Sequence, residues 1–409
     1  MAPSASLRSI TVRDHLKRLI IAFDGTGNRT ETTSNREVTN VARIVRSIKP
    51  VAADGTTQNI EYVRGIGSGR LLDRFFGGAT GEGISTNIEQ GYHFIANNYS
   101  TGDDIFLLGF SRGAYTAMSL SGFLNHVGIL RKRELHRFPD AYQLYRSTSI
   151  EDMRHIRSLY EQAQEGYSIP IRFLGLWDSV GHLTAVPLLT ERNVKYHEVE
   201  LAPNVSHAYH ALAVHEIRGD FPATLWTHRG SATDIQQVWF PGCHSDVGGT
   251  YREDAGLSNL TLHWMVDHAR PLRLEFDDEL LGSMTPDDSG RIHRSLTASW
   301  EWRSANVRDI DSSNGVEQFV HPSVLARRGS NPGPKRAASY FAEAENRACA
   351  LPMAPLTAAE EARDRKELAD DKKAQTQARV DKRIKDLKEK HEPTKTVFKR
   401  RTDGGGNGT

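Results

Sequence analysis

Short apolar runs alternate along the chain with stretches whose apolar residues recur at helical spacing. RLIIAF, 18–23, is a continuous apolar run of strand length that ends in the turn-prone DGTGN. NREVTNVARIVRSI, 35–48, then sets Val38, Val41, Ala42, Val45 and Ile48 on one helical face. NIEYV reads as a strand running into the glycine-rich RGIGSGR. Ile88, Tyr92, Ile95 and Tyr99 form a second helical stripe. IFLLGF, 105–110, is a second buried strand. Behind it RGAYTAMSLSGFLNHVGI, 112–129, turns Ala114, Ala117, Met118, Ser121, Leu124 and Val127 toward a sheet. Strands that are apolar on both faces and alternate with helices predict a mostly parallel sheet covered on both sides, an α/β three-layer sandwich.

The same rhythm continues more loosely. Residues 131–168 read as polar and helical, and IPIRFLGLWDS, 169–179, as a strand that ends at an aspartate. VSHAYHALAVHEIRGDF, 205–221, is expected to be helical in its first half. IQQVWFPGCHSDVGG, 235–249, is a strand feeding a glycine-flanked loop, and LSNLTLHWMVDHAR, 257–270, is a helix. The pattern changes after about residue 330, at the breaker cluster NPGPKR. From Ala358 to Lys390 only Leu368, Val380, Ile384 and Leu387 make a thin apolar stripe in a charged background. The expected organisation is a disordered leader over 1–17, one α/β domain over 18–330, and a charged helical or disordered tail over 331–409.

Composition narrows the function classes. A formal net charge of +1 offers no basic surface for nucleic acid. Two cysteines, Cys243 and Cys349, are too few for a disulfide framework or a cysteine zinc site. No apolar run approaches the roughly 18 residues of a membrane span, and the leader lacks a signal-peptide apolar core. These features give the expectation of a cytoplasmic protein without a transmembrane segment. Its contact with membranes, if any, is peripheral, through the basic KRIKDLKEK and KTVFKRR of the tail.

Candidate chemistry starts at Gly109-Phe110-Ser111-Arg112-Gly113. The pattern G-x-S-x-G is weak alone, but here a strand precedes it and a helix comes after. That is the context of a nucleophile elbow, in which a sharp turn lifts the serine above the sheet and glycines let strand and helix approach. A serine hydroxyl needs a base to take its proton. In this order of motifs an acid and then a histidine come next, each after a strand. Asp178 and His244 occupy those places. Asp246, two residues after His244, is the rival acid or a residue that fixes the loop. The pair His244 and Asp246 lacks a third ligand for a metal. Backbone N–H groups of Arg112 and of Gly25 or Thr26 are candidates for an oxyanion site. No cofactor and no metal is expected. Two other readings stay open. FDGT resembles the loop of aspartyl-phosphate phosphatases, with Asp24 as nucleophile, or the domain is a degenerate hydrolase that only binds.

Seven blocks occur in order: IIAFDGTGN, YVRGIGSG, FGGATGEGISTNIEQGYHFIANNY, GFSRGAYTA, FLGLWDSVG, HALAVHEIRGDFPATLW and WFPGCHSDVGGTY. Together they resemble the uncharacterised α/β-hydrolase domain family that includes the catalytic domain of bacterial type VI secretion phospholipase effectors. The resemblance implies an α/β-hydrolase-like fold with a Ser-Asp-His triad at Ser111, Asp178 and His244. It also implies esterase or phospholipase A-type activity on a lipid or other small ester. The large membrane-interacting regions of secreted effectors have no counterpart in the polar tail.

Overall fold

A computed structural model describes residues 16–25, 38–65, 81–147, 169–180, 201–219, 221–227, 234–251, 254–293, 295, 305–310, 316–328 and 338–363. Seven strands form one sheet: β1 (Lys17–Phe23), β2 (Thr57–Val63), β3 (Asp104–Phe110), β4 (Ile171–Trp177), β5 (His207–Ala213), β6 (Asp234–Phe240) and β7 (Gln318–Val320). Their order is β2-β1-β3-β4-β5-β6-β7, and every neighbouring pair is parallel. The chain leaves β1 toward one side and returns as β3 on the other. Loops after these two strands therefore diverge, which opens a crevice at the carboxyl ends of the strands.

Alternate residues of the strands feed two cores. Leu19, Ile21, Phe23, Ile105 and Leu107 point to one face. There they meet α2 (Gly81–Asn98), α3 (Arg112–His126) and α4 (Phe138–Ser147) through Ile88, Tyr92, Ala114, Leu120 and Phe138. Ile20, Ala22, Phe106, Leu108 and Phe110 point to the other face. On that side α1 (Asn40–Ser47) brings Val41 and Ile44, and a later helix, Gly256–Ala269, brings Leu262, Trp264 and Met265. Burial on both faces explains why these strands read as unbroken apolar runs rather than alternating ones. The α/β three-layer sandwich expected from the sequence is the fold observed.

Two expectations about local structure are corrected. HAYHALA, expected to be helical, is strand β5, pairing with β6 along its length and with β4 over Ala208–Ala211. Alanine favours helix locally, but a central strand sealed on both faces gains more from burial than propensity gives. The second concerns the region after residue 330. The helix Ala338–Ala348 and residues to 363 pack on the sheet edge, with Ala344, Ala348, Cys349 and Leu351 in a core shared with Leu212, Trp239 and Val320. Ala354 N–H donates to Val320 O, and Val320 N–H to Pro352 O, so this segment covers the edge of β7. Among the described residues no helix is long and apolar enough to cross a membrane. The leader over 1–15 and the tail beyond 363 lie outside the described residues.

Candidate active site

The elbow serine sits where β3 meets α3. Ser111 has φ 58° and ψ −125°, a backbone conformation that L-residues rarely adopt. Its N–H donates to Trp177 O of β4 at 3.0 Å, which pins the turn across the strand pair. The flanking glycines are sterically required. A Cβ on Gly109 would lie 2.5 Å from Ala114 Cα, and one on Gly113 only 2.2 Å from Phe23 O. Close approach of α3 to β1 and β3 is what holds the serine at the strained angle. Ser111 keeps 8 % of its surface exposed.

Asp178 comes directly after β4 and is also held at positive φ, 41°. Its N–H donates to Ala211 O at 2.8 Å, and its Oδ1 accepts the Ala213 N–H at 2.9 Å. His244 opens the short helix α5 (His244–Gly248), reached from β6 through Gly242 at φ 111°. The three side chains meet in a line. His244 Nδ1 lies 2.6 Å from Asp178 Oδ2, and His244 Nε2 lies 2.9 Å from Ser111 Oγ. Phe110 packs against the His244 ring at 4.6 Å between centroids and Phe221 at 5.3 Å. A cavity of about 640 Å³ is lined by Phe221, Leu225, Asn306, Arg308 and Arg347 among others, and none of Ser111, Asp178 and His244 lines it.

Electrostatics suit a proton relay. Burial lowers the pKa of His244, while Asp178 pulls it back up, so the imidazole is neutral near neutral pH and able to accept a proton. Burial alone would push the Asp178 carboxyl up, but Arg308 and then His244 outweigh it and hold it well below the usual carboxylate range. Glu216, fully buried, accepts the His244 N–H at 3.3 Å and is paired with Arg218, which against the effect of burial brings it down to about 2. Cys243 is a buried thiol whose pKa burial raises well above its usual value, which leaves it protonated and unreactive.

The remaining candidates fall into supporting places. Asp246 does not touch His244's ring. It accepts the Cys243 and His293 N–H groups and lies 2.5 Å from His293 Nδ1, tying the histidine loop to residues 291–293. The Arg112 N–H stands at the first position of α3 and has no partner among the described residues. The Gly25 N–H donates to Asp24 Oδ1 at 2.6 Å, and Thr26 lies outside the described residues. Asp24 is 1 % exposed and accepts from Thr39 Oγ1 at 2.8 Å and from the Tyr62 hydroxyl. Burial pushes its carboxyl up to about 6. Both of its oxygens are engaged, so the carboxylate is not presented as a nucleophile. Other histidines are engaged elsewhere: His215 accepts the Gly242 N–H and faces Glu345, and His210 accepts the Ser179 N–H. His182 and His228 lie outside the described residues. Among the described residues no group of three His, Cys, Asp or Glu side chains is arranged to hold a metal ion.

Sequence patterns single out neither Arg308 nor Glu216. Glu216 stands inside the HALAVHEIRGDFPATLW block, which is a signal. Arg308, in VRDI, is one of 52 basic residues and carries no local pattern.

Comparison with known proteins gives four findings. A family model described as the catalytic domain of Tle1-like type VI secretion phospholipase effectors matches residues 17–268. An uncharacterized protein of Saccharomyces cerevisiae is 27% identical over 249 residues, 54% of this chain and 34% of that protein. The chain thus spans about a third of the length of that curated relative. Among solved structures, a Tle1 effector bound to the VgrG spike of the type 6 secretion system aligns with a TM-score of 0.35 and 20% identity, over 61% of this chain and 56% of that one. An uncharacterized protein from Pseudomonas aeruginosa aligns with a TM-score of 0.40 and 17% identity, over 86% and 62%.

Proposed function

The chain belongs to the Tle1-like phospholipase effector catalytic-domain family, and we propose that it is a serine hydrolase that cleaves carboxylic esters of lipids or phospholipids through Ser111, His244 and Asp178. Membership supports a hydrolase of lipid esters; the serine mechanism is our reading of the site. The observation that carries it is the unbroken line from Asp178 Oδ2 to His244 Nδ1 and from His244 Nε2 to Ser111 Oγ, 2.6 and 2.9 Å.

Ser111 Oγ attacks the ester carbonyl carbon while His244 Nε2 takes the hydroxyl proton. Asp178 holds the Nδ1–H tautomer and stabilises the imidazolium. The tetrahedral oxyanion is met by the Arg112 N–H, at the positive end of α3. Of the two candidates for a second donor in the loop after β1, Gly25 has its N–H bonded to Asp24 Oδ1, and Thr26 lies outside the described residues. The leaving alkoxide takes the proton from Nε2 and departs, and the acyl group stays on Ser111. A water then attacks the acyl-enzyme with His244 again as base, releasing the fatty acid and restoring the hydroxyl. No cofactor takes part in this scheme.

The catalytic unit we propose extends past residue 330 to about 363, because the segment 338–363 shares a core with the sheet edge. A panel of phospholipids and short-chain esters, read beside labelling by a fluorophosphonate probe, tests the function. Ser111→Ala is expected to abolish labelling and to lower turnover by on the order of 10⁴–10⁶. Undiminished labelling in that variant would exclude Ser111 as the reactive group.

A further inference from the structure

The acid of the site is gripped from behind by a residue remote from it in sequence. Arg308 Nη1 lies 2.5 Å from Asp178 Oδ1, and Nη2 lies 3.0 Å from Oδ2. The same guanidinium donates from Nη1 to Ala213 O at 3.2 Å, and from Nη2 and Nε to Phe221 O at 2.8 and 3.1 Å. Its fork is thus fixed by two backbone carbonyls before it meets the carboxylate. Both side chains of the pair are buried. A planar guanidinium bonded to both oxygens fixes the plane of a carboxylate, which a single donor does not do. That plane directs Oδ2 at His244 Nδ1. Arg308 lies beyond the matched residues 17–268, and its carbonyl accepts from Arg347 Nη1 of the helix Ala338–Ala348 at 3.4 Å.

We propose that Arg308 is a positioning residue of the hydrolytic site: it clamps Asp178 in the orientation that serves His244, and its fixed charge sets how acidic the medium must become before the site shuts off. This rests on the Ser111–His244–Asp178 reading. Other ionisable groups around the pair are Glu216 and Arg218 from the loop after β5, His210 on β5 and Cys243 before α5. Glu216 and Arg218 are bonded to each other at 2.8 Å. Arg308 is the cation bonded to Asp178. A guanidinium stays charged across the working range. Its charge opposes any added proton on the Asp178–His244 pair. Removing it makes the pair easier to protonate, and a protonated imidazole cannot take the serine proton. The acidic limb of the rate profile then moves to higher pH.

The test measures kcat and KM against pH for one soluble short-chain ester, with the full chain as wild type, Arg308→Lys, Arg308→Met and Ser111→Ala. Circular dichroism checks that each is folded. Arg308→Met is expected to lose about 10²-fold in kcat with KM unchanged, as a misplaced catalytic group does. Its acidic limb should rise by about one pH unit, the scale of a neighbouring charge. Arg308→Lys keeps the charge but not the fork. It should hold the limb near its wild-type place and still lose about tenfold in kcat. An unmoved limb in folded Arg308→Met, or wild-type kcat in either variant, overturns the proposal. If Arg308→Met does not fold, Arg308→Lys decides: reduced kcat with a retained limb supports the clamp, and wild-type kcat or a loss with a displaced limb refutes it. Turnover that survives Ser111→Ala would sink the underlying serine reading. Ser111-dependent turnover with an indifferent Arg308 would sink the clamp alone.

Discussion

Asp24 and Asp178 each come directly after a strand of the same sheet, β1 and β4, and each is buried. Asp24 is surrounded by neutral donors, the Tyr62 and Thr39 hydroxyls and the Gly25 N–H, and burial pushes its carboxyl up to about 6. Asp178 meets equally deep burial, but a guanidinium and an imidazole hold it well below the usual range. At Asp24 the neutral hydrogen bonds do not offset the cost of burying charge; at Asp178 the bonded guanidinium and imidazole outweigh it. In this chain the buried carboxylate that faces a histidine has a cation bonded to it, and the one that organises the loop after β1 has only neutral donors.

The contrast can be broken at several points. Removing the negative charge at Asp178 should hurt most. Asp178→Asn is expected to lower kcat about 10⁴-fold, read as ester turnover at neutral pH, because the imidazole loses its tautomer. Activity within tenfold of wild type would remove Asp178 from the mechanism. Gly113→Ala comes next. Its new Cβ would meet Phe23 O and Asp24 O, so α3 would be driven from the end of β1. A stability loss of about 3 kcal/mol is expected from urea unfolding.

Asp24→Asn gives a smaller effect with a distinct signature. The wild-type carboxyl has a folded pKa of about 6, above its unfolded value near 3.8. The folded state holds the extra proton between these values. Its contribution is complete below about pH 4 and is lost as pH rises through 6. Wild-type stability should therefore decline across that window by roughly 2 kcal/mol, and the decline should be absent in Asp24→Asn. Equal slopes would show that Asp24 is ionised in the fold after all. Tyr62→Phe is the mildest change. It removes one donor from the Asp24 carboxylate and should cost about 1 kcal/mol above pH 6, with little effect below pH 4.

The parallel sheet was legible because its strands are short, apolar on both faces and separated by helical stripes. β5 was not, because His-Ala-Tyr-His-Ala-Leu-Ala carries no β-branched residue and its burial is decided by neighbours far away in sequence. The meeting of Ser111, Asp178 and His244 was legible because each lies at or within a few residues of a strand's end, where topology brings side chains to one rim. Asp246 could not be separated from a triad acid by spacing alone. The turn of α5 directs it to Cys243 and His293 instead. Arg308 left no mark, because a counter-ion needs only to arrive at the right point in space. The packing of residues 338–363 was hidden by the charged composition that surrounds Ala344, Ala348 and Leu351.

The carbonyl of Arg308 is held by Arg347, and the helix that bears Arg347 is anchored on the sheet by Glu345 and His215. His215 in turn receives the Gly242 N–H just ahead of His244. Residues 308 and 345–347 are therefore joined through hydrogen bonds both to Asp178 and to the turn that carries His244. Loosening the helix Ala338–Ala348 is expected to be felt at both side chains at once, from a part of the chain outside residues 17–268.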